Sequence, residues 1–390
     1  MGQRTALAAL LETFGARYRA GHALSAEQFK VWCAIVNCRT AALGGHLECC
    51  DTCCTTRHVY HSCRNRHCPL CQTRAKEAWL AARRSELLPV PYFHLVFALP
   101  HALHGLVAEQ PRLIYQQLFA ATADTLTAFA ADPRHLGGEA SFTLVLHTWK
   151  QDLGRHVHVH ALFAGGALTS TGQWRHASRG FLFPVRALSA VFRGKFMAAL
   201  TALRVAGQVP SVAEDSAWQG LTAALYAHDW VVYAKHPLGG PTQVLEYLGR
   251  YTHRVAISNE RIIGIDRDEV LFRVRADGAS GRKRTVRLAA DAFIERFLLH
   301  VLPSGFKRIR HYGLLAPARK AKRLALARAA LDVPRPDTAL IESVAQFMQR
   351  VACLEWGICP RCGTGHFVVI EALLRARTTT PFPRAPPWRA

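Results

Sequence analysis

Three histidines near the middle of the chain and two tyrosines further along have spacings that suit chemistry on a phosphodiester. His156, His158 and His160 alternate with valines. Because side chains alternate across a β-strand, His158 and His160 leave the same face and can hold one cation between two imidazoles. Tyr247 and Tyr251 are four positions apart, which places both hydroxyls on one side of a helix. This combination predicts phosphoryl transfer on a nucleic acid strand, with tyrosine as the attacking group.

The predicted cation site needs further groups. Imidazoles are borderline ligands that suit manganese, cobalt or zinc, whereas magnesium prefers oxygen. We expect a third protein ligand, and Gln243 is the candidate because it lies one helical turn before Tyr247. A phenol with its ordinary pKa of about 10 must lose its proton to attack. The nearby cations Arg250, His253 and Arg254 favour the phenolate and are candidate DNA contacts.

A cysteine-rich segment predicts a second, structural metal. Nine of the twelve cysteines lie between Cys33 and Cys71. Two Cys-x-x-Cys hooks there have the spacing of a tetrahedral zinc-thiolate site, with the predicted ligands Cys50, Cys53, Cys68 and Cys71. Residues within reach that could replace one of them are Cys49, Cys54, Cys63 and His67. Four protein ligands leave no open position for a substrate, so this zinc is expected to be structural.

A third Cys-x-x-Cys hook lies near the C-terminus, at Cys359 and Cys362. It is half of a zinc site. Cys353 and His366 are candidate partners, but two unrelated thiols explain the pair almost as well. We therefore assign no metal to this segment.

The charge of the chain predicts a polyanionic partner. It contains 49 Lys and Arg against 27 Asp and Glu, a formal net charge of +22. Residues 304–331 contain eight Lys or Arg and no acid, and Lys307, Arg308 and Arg310 are candidate DNA contacts. No stretch approaches the roughly 20 apolar residues of a membrane span. The N-terminus resembles an amphipathic helix rather than a secretory signal, so we expect a cytoplasmic location and no membrane partner.

The pattern of strands and helices predicts an α+β fold, with an antiparallel sheet covered by helices. Residues 142–149 (FTLVLHTW) and 156–163 (HVHVHALF) are separated by a short turn and should pair as an antiparallel hairpin. Val157, Val159 and their odd-numbered neighbours then face a core, opposite the histidines. Helical patterns at about 106–131 and 186–206 flank these strands.

Five segments carry a family resemblance, in the same order along the chain: SCRNRHCPLC at 62–71, FHLVFALPHAL at 93–103, LHTWKQDLGRHVHVHALFAGGAL at 146–168, VLEYLGRYTHRVAISN at 244–259 and KRIRHYGLL at 307–315. In these segments the chain resembles the transposases of the insertion-sequence ninety-one type. These are rolling-circle HUH (His-hydrophobe-His) nucleases with two tyrosines and an N-terminal zinc-binding transposase domain.

The resemblance implies an HUH endonuclease fold with a central antiparallel sheet, and a zinc-ribbon-like module before it. It implies the metal pair His158 and His160, with His156 as an outer partner or DNA contact, and magnesium or manganese as the nuclease metal. Tyr247 and Tyr251 become the catalytic residues, each able to form a 5′-phosphotyrosine. The implied substrate is single-stranded DNA at the ends of a mobile element, and no nucleotide cofactor is needed.

These inferences divide the chain into three predicted parts. They are a helical segment with the zinc module at 1–90, the nuclease at 91–312, and a basic extension with a disordered tail at 313–390. Two alternative functions remain. One is a plasmid replication initiator or relaxase of the same chemistry, which would act on an origin in its own replicon. The other is a non-catalytic zinc-ribbon regulator that binds duplex DNA.

Overall fold

The computed structural model describes residues 6–178, 180–238, 243–244, 249, 256–275, 282–334, 346, 349 and 358–375, without the side chains of 73–74 and 235–238. The α-helices in this part of the chain are α1 (Ala6–Thr13), α2 (Gly15–Gly21), α3 (Ala26–Val36), α4 (Pro69–Arg84), α5 (His104–Glu109), α6 (Pro111–Ala131), α7 (Val185–Val205), α8 (Asp215–Tyr226), α9 (Ala290–Leu298) and α10 (Lys320–Ala330). Short 3-10 helices lie at Ala41–Leu43, His101–Leu103, Pro210–Val212 and Asn259–Arg261.

The strands in the same residues are β1 (Gly45–Cys50), β2 (Thr56–Tyr60), β3 (Tyr92–Ala98), β4 (Gly138–Trp149), β5 (Arg155–Thr169), β6 (Trp174–His176), β7 (Val232–Leu238), β8 (Ile262–Asp266), β9 (Glu269–Arg275), β10 (Lys283–Ala289), β11 (Ile309–Gly313) and β12 (Phe367–Leu373). Every described strand pair is antiparallel. The structure is therefore a mixed α/β protein with antiparallel sheets.

The chain forms two compact units, which differ from the three consecutive parts predicted. One unit contains residues 1–72 and 342–390, and the other contains residues 73–341. The physical reason is strand pairing, since β12 pairs with β1 over the register Gly45↔Leu373 to Cys50↔Phe367. Residues 358–375 thus belong with the N-terminal segment and not with a separate extension. The predicted tail at 376–390 lies outside the described residues.

The first unit consists of α1 to α3 and the three-stranded sheet β12-β1-β2. Helix α3 begins with a capping box, in which the Ser25 hydroxyl accepts from the Gln28 backbone N–H and the Gln28 side chain accepts from the Ser25 N–H. Its apolar face buries Trp32 and Ile35 against the buried leucines of α1. This packing gives the cysteine-bearing loops a folded support.

The second unit is built around a sheet of strand order β11-β4-β5-β3-β7, with β6 paired to the end of β5. Its longest hairpin is β4–β5, which confirms the predicted pairing of FTLVLHTW with HVHVHALF. Val157, Val159, Ala161 and Phe163 are fully buried, as alternation predicts. They join a core with side chains of α6 and α7. The even-numbered side chains of β5 therefore lie on the opposite face of the sheet.

That opposite face is covered in part by a second core. It contains Tyr92 of β3, Leu162 of β5, and Leu324 and Ala327 of α10. The small sheet β10-β9-β8 packs Phe272 against Phe293 of α9, with ring centroids 5.5 Å apart. No helix of the described residues is both long enough and apolar enough to cross a bilayer.

The turn between β4 and β5 is anchored by a buried histidine, His300. Its Nε2–H donates to the Leu153 carbonyl oxygen at 2.9 Å, and its Nδ1 lies 3.1 Å from the Thr148 hydroxyl. Burial lowers the pKa of His300 to about 4. In the unfolded chain the pKa is about 6.5, so the unfolded state binds more protons between these values. The free energy of unfolding therefore falls as pH drops from 6.5 towards 4.

We expect this one histidine to contribute about 2 kcal/mol to the loss of stability between pH 7 and pH 5. His300→Leu should be less stable at pH 7, since it leaves the Leu153 carbonyl without its donor. Its stability should depend less on pH by that amount. Urea unfolding at both pH values measures the difference, with the exposed His228→Leu as control. An equal pH dependence in His300→Leu and wild type would contradict the assignment.

Candidate metal centres

Three histidines meet on one face of the central hairpin, and one of them was missed by sequence analysis. His147 of β4 lies directly opposite His158 of β5, and Val145 lies opposite His160. Because cross-strand partners share a face, His147 projects on the same side as His158 and His160. One ring nitrogen of each lies within 4.8 Å of those of the other two. The predicted hairpin placed these two strands side by side but did not fix their register, which the structure supplies.

The hydrogen bonds decide which nitrogens face the centre. His158 Nδ1 lies 3.0 Å from the His156 carbonyl oxygen, which can only accept, so Nδ1 carries the proton and Nε2 keeps its lone pair. His158 Nε2 is 3.1 Å from His160 Nε2, which in turn is 3.1 Å from His147 Nδ1. Three ring nitrogens thus point at one another. This arrangement suits a shared cation, because lone pairs otherwise repel.

Distances and protonation both fit a divalent metal. Two nitrogens about 2.1 Å from one ion and at right angles are about 3.0 Å apart, close to the observed separations. Burial lowers the pKa of His158 to about 4. Burial and the neighbouring histidines hold the pKa of His160 well below its ordinary range. Both rings are therefore neutral at pH 7, which is the form that binds metal.

A fourth histidine, His94 of β3, supports the cluster from outside. Its Nε2 lies 2.8 Å from His160 Nδ1, and it is buried. If His160 binds through Nε2, its Nδ1–H donates to His94, which fixes the tautomer and the ring orientation. Strand β3 places it there because β3 pairs with β5 through Val96↔His160 and His94↔Leu162.

We expect His94→Ala to weaken Mn²⁺ binding by about 10- to 100-fold, the usual effect of removing such an outer partner. His94→Gln should recover part of the loss, since its amide oxygen can accept from His160 Nδ1–H. Calorimetric titration of Mn²⁺ into each variant measures the effect. An unchanged dissociation constant in His94→Ala would show that the 2.8 Å contact does not orient His160.

The β4–β5 turn beside the cluster is held rigidly by cations. Arg261 donates to the Gln151 carbonyl, and Arg296 donates to the Asp152 carbonyl at 3.1 Å. Lys150 in this turn is exposed. Trp149 is partly exposed, and its ring stacks on His147 with centroids 4.7 Å apart. The rim of the cluster thus offers an exposed cation and an aromatic surface.

The other predicted residues of the nuclease site are only partly covered by the structure. Gln243 is helical and exposed. The predicted nucleophiles and the cations beside them lie outside the described residues: Tyr247, Tyr251, Arg250, His253 and Arg254. Gln243 and these residues therefore stay predictions.

Of the three predicted DNA contacts near β11, Lys307 is exposed. Arg308 is 8% exposed. The Arg310 guanidinium lies over the Phe119 ring at 4.1 Å and the Phe306 ring at 5.1 Å, so it serves the packing of the core. The three side chains thus differ in exposure, and all three stay predicted DNA contacts.

The four cysteines predicted to form one zinc site lie in two different clusters, and the predicted ligand set is corrected accordingly. Cys68 and Cys71 lie with Cys38 and Cys63, whereas Cys50 and Cys53 lie with Cys359 and Cys362. The β1–β2 hairpin explains the separation, because Cys38 and Cys63 flank its open end and the Cys50 hook is at its turn. A strand of 6 residues such as β1 spans about 16 Å at 3.3 Å per residue, so cysteines at its two ends cannot bind the same ion.

The cluster at the open end has the geometry of a tetrathiolate site. Cys38 Sγ lies 3.7 Å from Cys71 Sγ and 3.6 Å from Cys68 Sγ, and Cys63 Sγ lies 3.6 Å from Cys71 Sγ. Sulfurs about 2.3 Å from one tetrahedral zinc are about 3.8 Å apart. The backbone N–H of Cys63 also approaches Cys38 Sγ at 3.5 Å. The four residues therefore fit a structural zinc ion.

Comparison with known proteins agrees with this architecture. The family model described as "Transposase zinc-binding domain" matches residues 10–99, and the model described as "Putative transposase" matches residues 141–323. The "Putative transposase y4qJ" of Sinorhizobium fredii (strain NBRC 101917 / NGR234) is 43% identical over 376 residues, which are 94% of this chain and 94% of that protein. The transposase for insertion sequence element IS801 of Pseudomonas savastanoi pv. phaseolicola is 27% identical over 288 residues, covering 72% of this chain and 68% of that protein.

Sequence and site together therefore define a transposase with a zinc-binding domain. The chain belongs to the family of insertion-sequence transposases of the ninety-one type, as the resemblance predicted. A solved structure, the conjugative relaxase TrwC in complex with mutant OriT DNA, matches 62% of this chain and 75% of that chain, with 16% identity and a TM-score of 0.23. That similarity is too low to define the fold.

Proposed function

We propose that this transposase cleaves and rejoins single-stranded DNA through a 5′-phosphotyrosine, and mobilises its insertion sequence by a rolling-circle route. The observation that carries the proposal is the cluster of His147, His158 and His160 on paired antiparallel strands. The family resemblance implies a histidine metal site on a central antiparallel sheet, and this cluster fits that expectation. The proposed fold of residues 73–341 is therefore an HUH endonuclease fold.

The three imidazoles would hold a divalent metal. Nitrogen ligands favour manganese over magnesium among the two metals that the family resemblance implies. When bound, the metal offsets charge on a non-bridging phosphate oxygen and helps to orient the phosphodiester. The chain supplies three imidazole ligands, of which His158 and His160 are neutral at pH 7, with His94 holding His160 in its binding tautomer.

The proposed nucleophiles are Tyr247 and Tyr251. The phenolic oxygen of one forms a bond to phosphorus while the bond from phosphorus to the 3′ oxygen breaks. The phenolic proton is lost to solvent, and the departing 3′ oxygen takes up a proton to become a hydroxyl. The phosphotyrosine stores the energy of the cut bond, so rejoining needs no nucleotide cofactor. A second tyrosine lets the protein cut another strand while the first stays attached.

The proposed substrate is single-stranded DNA at the element ends. Single strands are bound by basic grooves and stacking rings, and Lys150 and the partly exposed Trp149 lie beside the histidines. The net charge of +22 supports a polyanionic partner. The 43% identity to a transposase over most of both chains favours element ends over a replicon origin as the site of action.

Incubation with a labelled single-stranded oligonucleotide of the element end tests the proposal. With Mn²⁺, purified protein should release a fragment with a free 3′-hydroxyl and keep the other fragment attached covalently at its 5′ phosphate. Chelation of the metal should stop the reaction. A released 5′-phosphate without any covalent product would contradict the phosphotyrosine route and indicate attack by water.

A further inference from the structure

A second group of four cysteines joins the two ends of the chain. Cys50 ends β1 and Cys53 lies in the turn after it, and Cys359 and Cys362 come from the segment before β12. Cys50 Sγ lies 3.7 Å from Cys362 Sγ, and Cys53 Sγ lies 3.7 Å from Cys359 Sγ. Both close contacts thus connect opposite hooks. Cys50 and Cys359 are buried, with 1% and 0% exposure.

The two hooks have the same backbone conformation although their sequences differ. The Cys54 N–H donates to the Cys50 carbonyl at 3.0 Å, and the Gly363 N–H donates to the Cys359 carbonyl at 2.9 Å. The residue after the second cysteine is left-handed in each, with φ 53° at Cys54 and φ 74° at Gly363. Each hook therefore shares the turn that places its two cysteines side by side.

Hydrogen bonds between the hooks hold them face to face. The Asp51 N–H donates to the His366 carbonyl at 3.0 Å, and the His366 N–H donates to the Asp51 carboxylate at 2.8 Å. The Gly365 N–H also donates to Cys362 Sγ at 3.3 Å. Backbone donors to sulfur stabilise the thiolate, which is the form that binds metal. The register Cys50↔Phe367 then continues this contact into the β1–β12 pair.

We propose that Cys50, Cys53, Cys359 and Cys362 bind a second structural zinc ion, which fastens the C-terminal strand to the N-terminal unit. Both 3.7 Å contacts fit the edge of a zinc tetrathiolate, about 3.8 Å. The zinc-binding family model ends at residue 99, so half of this site comes from a segment beyond it. All four sulfurs lie within 4.8 Å of one another, as four ligands of one ion must. Zinc here links residues 306 positions apart.

Gly365 gives the site a steric requirement. A Cβ built on Gly365 would lie 2.4 Å from Cys50 Sγ and 2.8 Å from the Asp51 carboxylate. Any side chain at this position must therefore displace a ligand. Gly21, in the same unit, has no neighbour within 4 Å of a built Cβ and provides a matched control.

Native mass spectrometry of the full chain, with zinc and iron also measured by elemental analysis, tests the proposal. Wild type should carry two cysteine-bound zinc ions, and Cys359→Ser with Cys362→Ser should carry one zinc ion fewer than wild type. Cys33→Ser and Cys54→Ser, outside both clusters, should keep two. Gly365→Ala should lose the second zinc, whereas Gly21→Ala should keep it. One zinc in wild type, or iron in its place, would overturn the proposal.

A footprint on the unaltered protein covers the case in which a cysteine variant fails to fold. Alkylation in the presence of zinc should spare Cys50, Cys53, Cys359 and Cys362 together, and a chelator should expose all four. If Cys359 and Cys362 are alkylated before the chelator while Cys38 and Cys68 stay protected, the C-terminal hook binds no metal. Neither measurement depends on DNA cleavage. A failure of the zinc proposal can therefore be distinguished from a failure of the proposed function.

Discussion

His147→Ala should reduce the rate of covalent DNA cleavage by about a thousandfold, because metal stabilisation of a transition state is worth several kcal/mol and about 1.4 kcal/mol is tenfold. His147 Nδ1 lies 3.1 Å from His160 Nε2, so its removal opens one side of the site. His158→Ala should have an effect of the same size. Single-turnover assays on a single-stranded end oligonucleotide measure the rates.

The control for this prediction is His156→Ala. The His156 ring lies beside that of His158, with centroids 4.7 Å apart, but His156 is not part of the three-nitrogen cluster. We expect its loss to change the rate far less than the loss of His147. A defect in His156→Ala as large as that in His147→Ala would indicate that His156 and His158 hold the metal. Thermal melting must show that each variant is folded, since His147 is buried.

The double substitution Tyr247→Phe and Tyr251→Phe should abolish covalent attachment while leaving metal and DNA binding intact. Phenylalanine keeps the ring for packing or stacking and removes the oxygen that forms the bond to phosphorus. Each single variant should still attach to one strand, but should not exchange two strands. Denaturing gels of protein crosslinked to labelled DNA measure attachment directly.

Tyr233→Phe provides the matched control, because Tyr233 is 51% exposed on β7 and carries a phenol outside the proposed pair. It should attach to DNA at the wild-type rate. Residual attachment by the double variant would show that another residue is the nucleophile. A loss of DNA binding in the double variant would instead indicate a role of the two hydroxyls in recognition.

The central hairpin could be predicted from sequence because its pattern is local. Alternation of valine and histidine fixed the faces of β5, and the structure buries Val157 and Val159 as expected. His147 could not be assigned without the strand register. The pairing passes a bulge between His147 and Trp149, and only the resulting alignment His147↔His158 reveals the third ligand.

The zinc ligands show the opposite case, in which local spacing was misleading. The Cys50 and Cys68 hooks are close in sequence, and their spacing predicted one shared zinc site. The β1–β2 hairpin instead places them at its two ends. The neighbours of Cys50 and Cys53 are distant in sequence, since the C-terminal hook reaches Cys53 across 306 positions. The pairing of β12 with β1 brings the two hooks together. The sequence of either segment alone does not predict that pairing.

Anomalous diffraction at the manganese edge tests the central claim most directly, in crystals of the Tyr247→Phe, Tyr251→Phe protein soaked with Mn²⁺ and bound to a single-stranded end oligonucleotide. We predict one strong peak bonded to His158 Nε2, His160 Nε2 and His147 Nδ1, and to an oxygen of the DNA backbone. A manganese peak at other side chains, or DNA bound with no metal at these three nitrogens, would contradict the account.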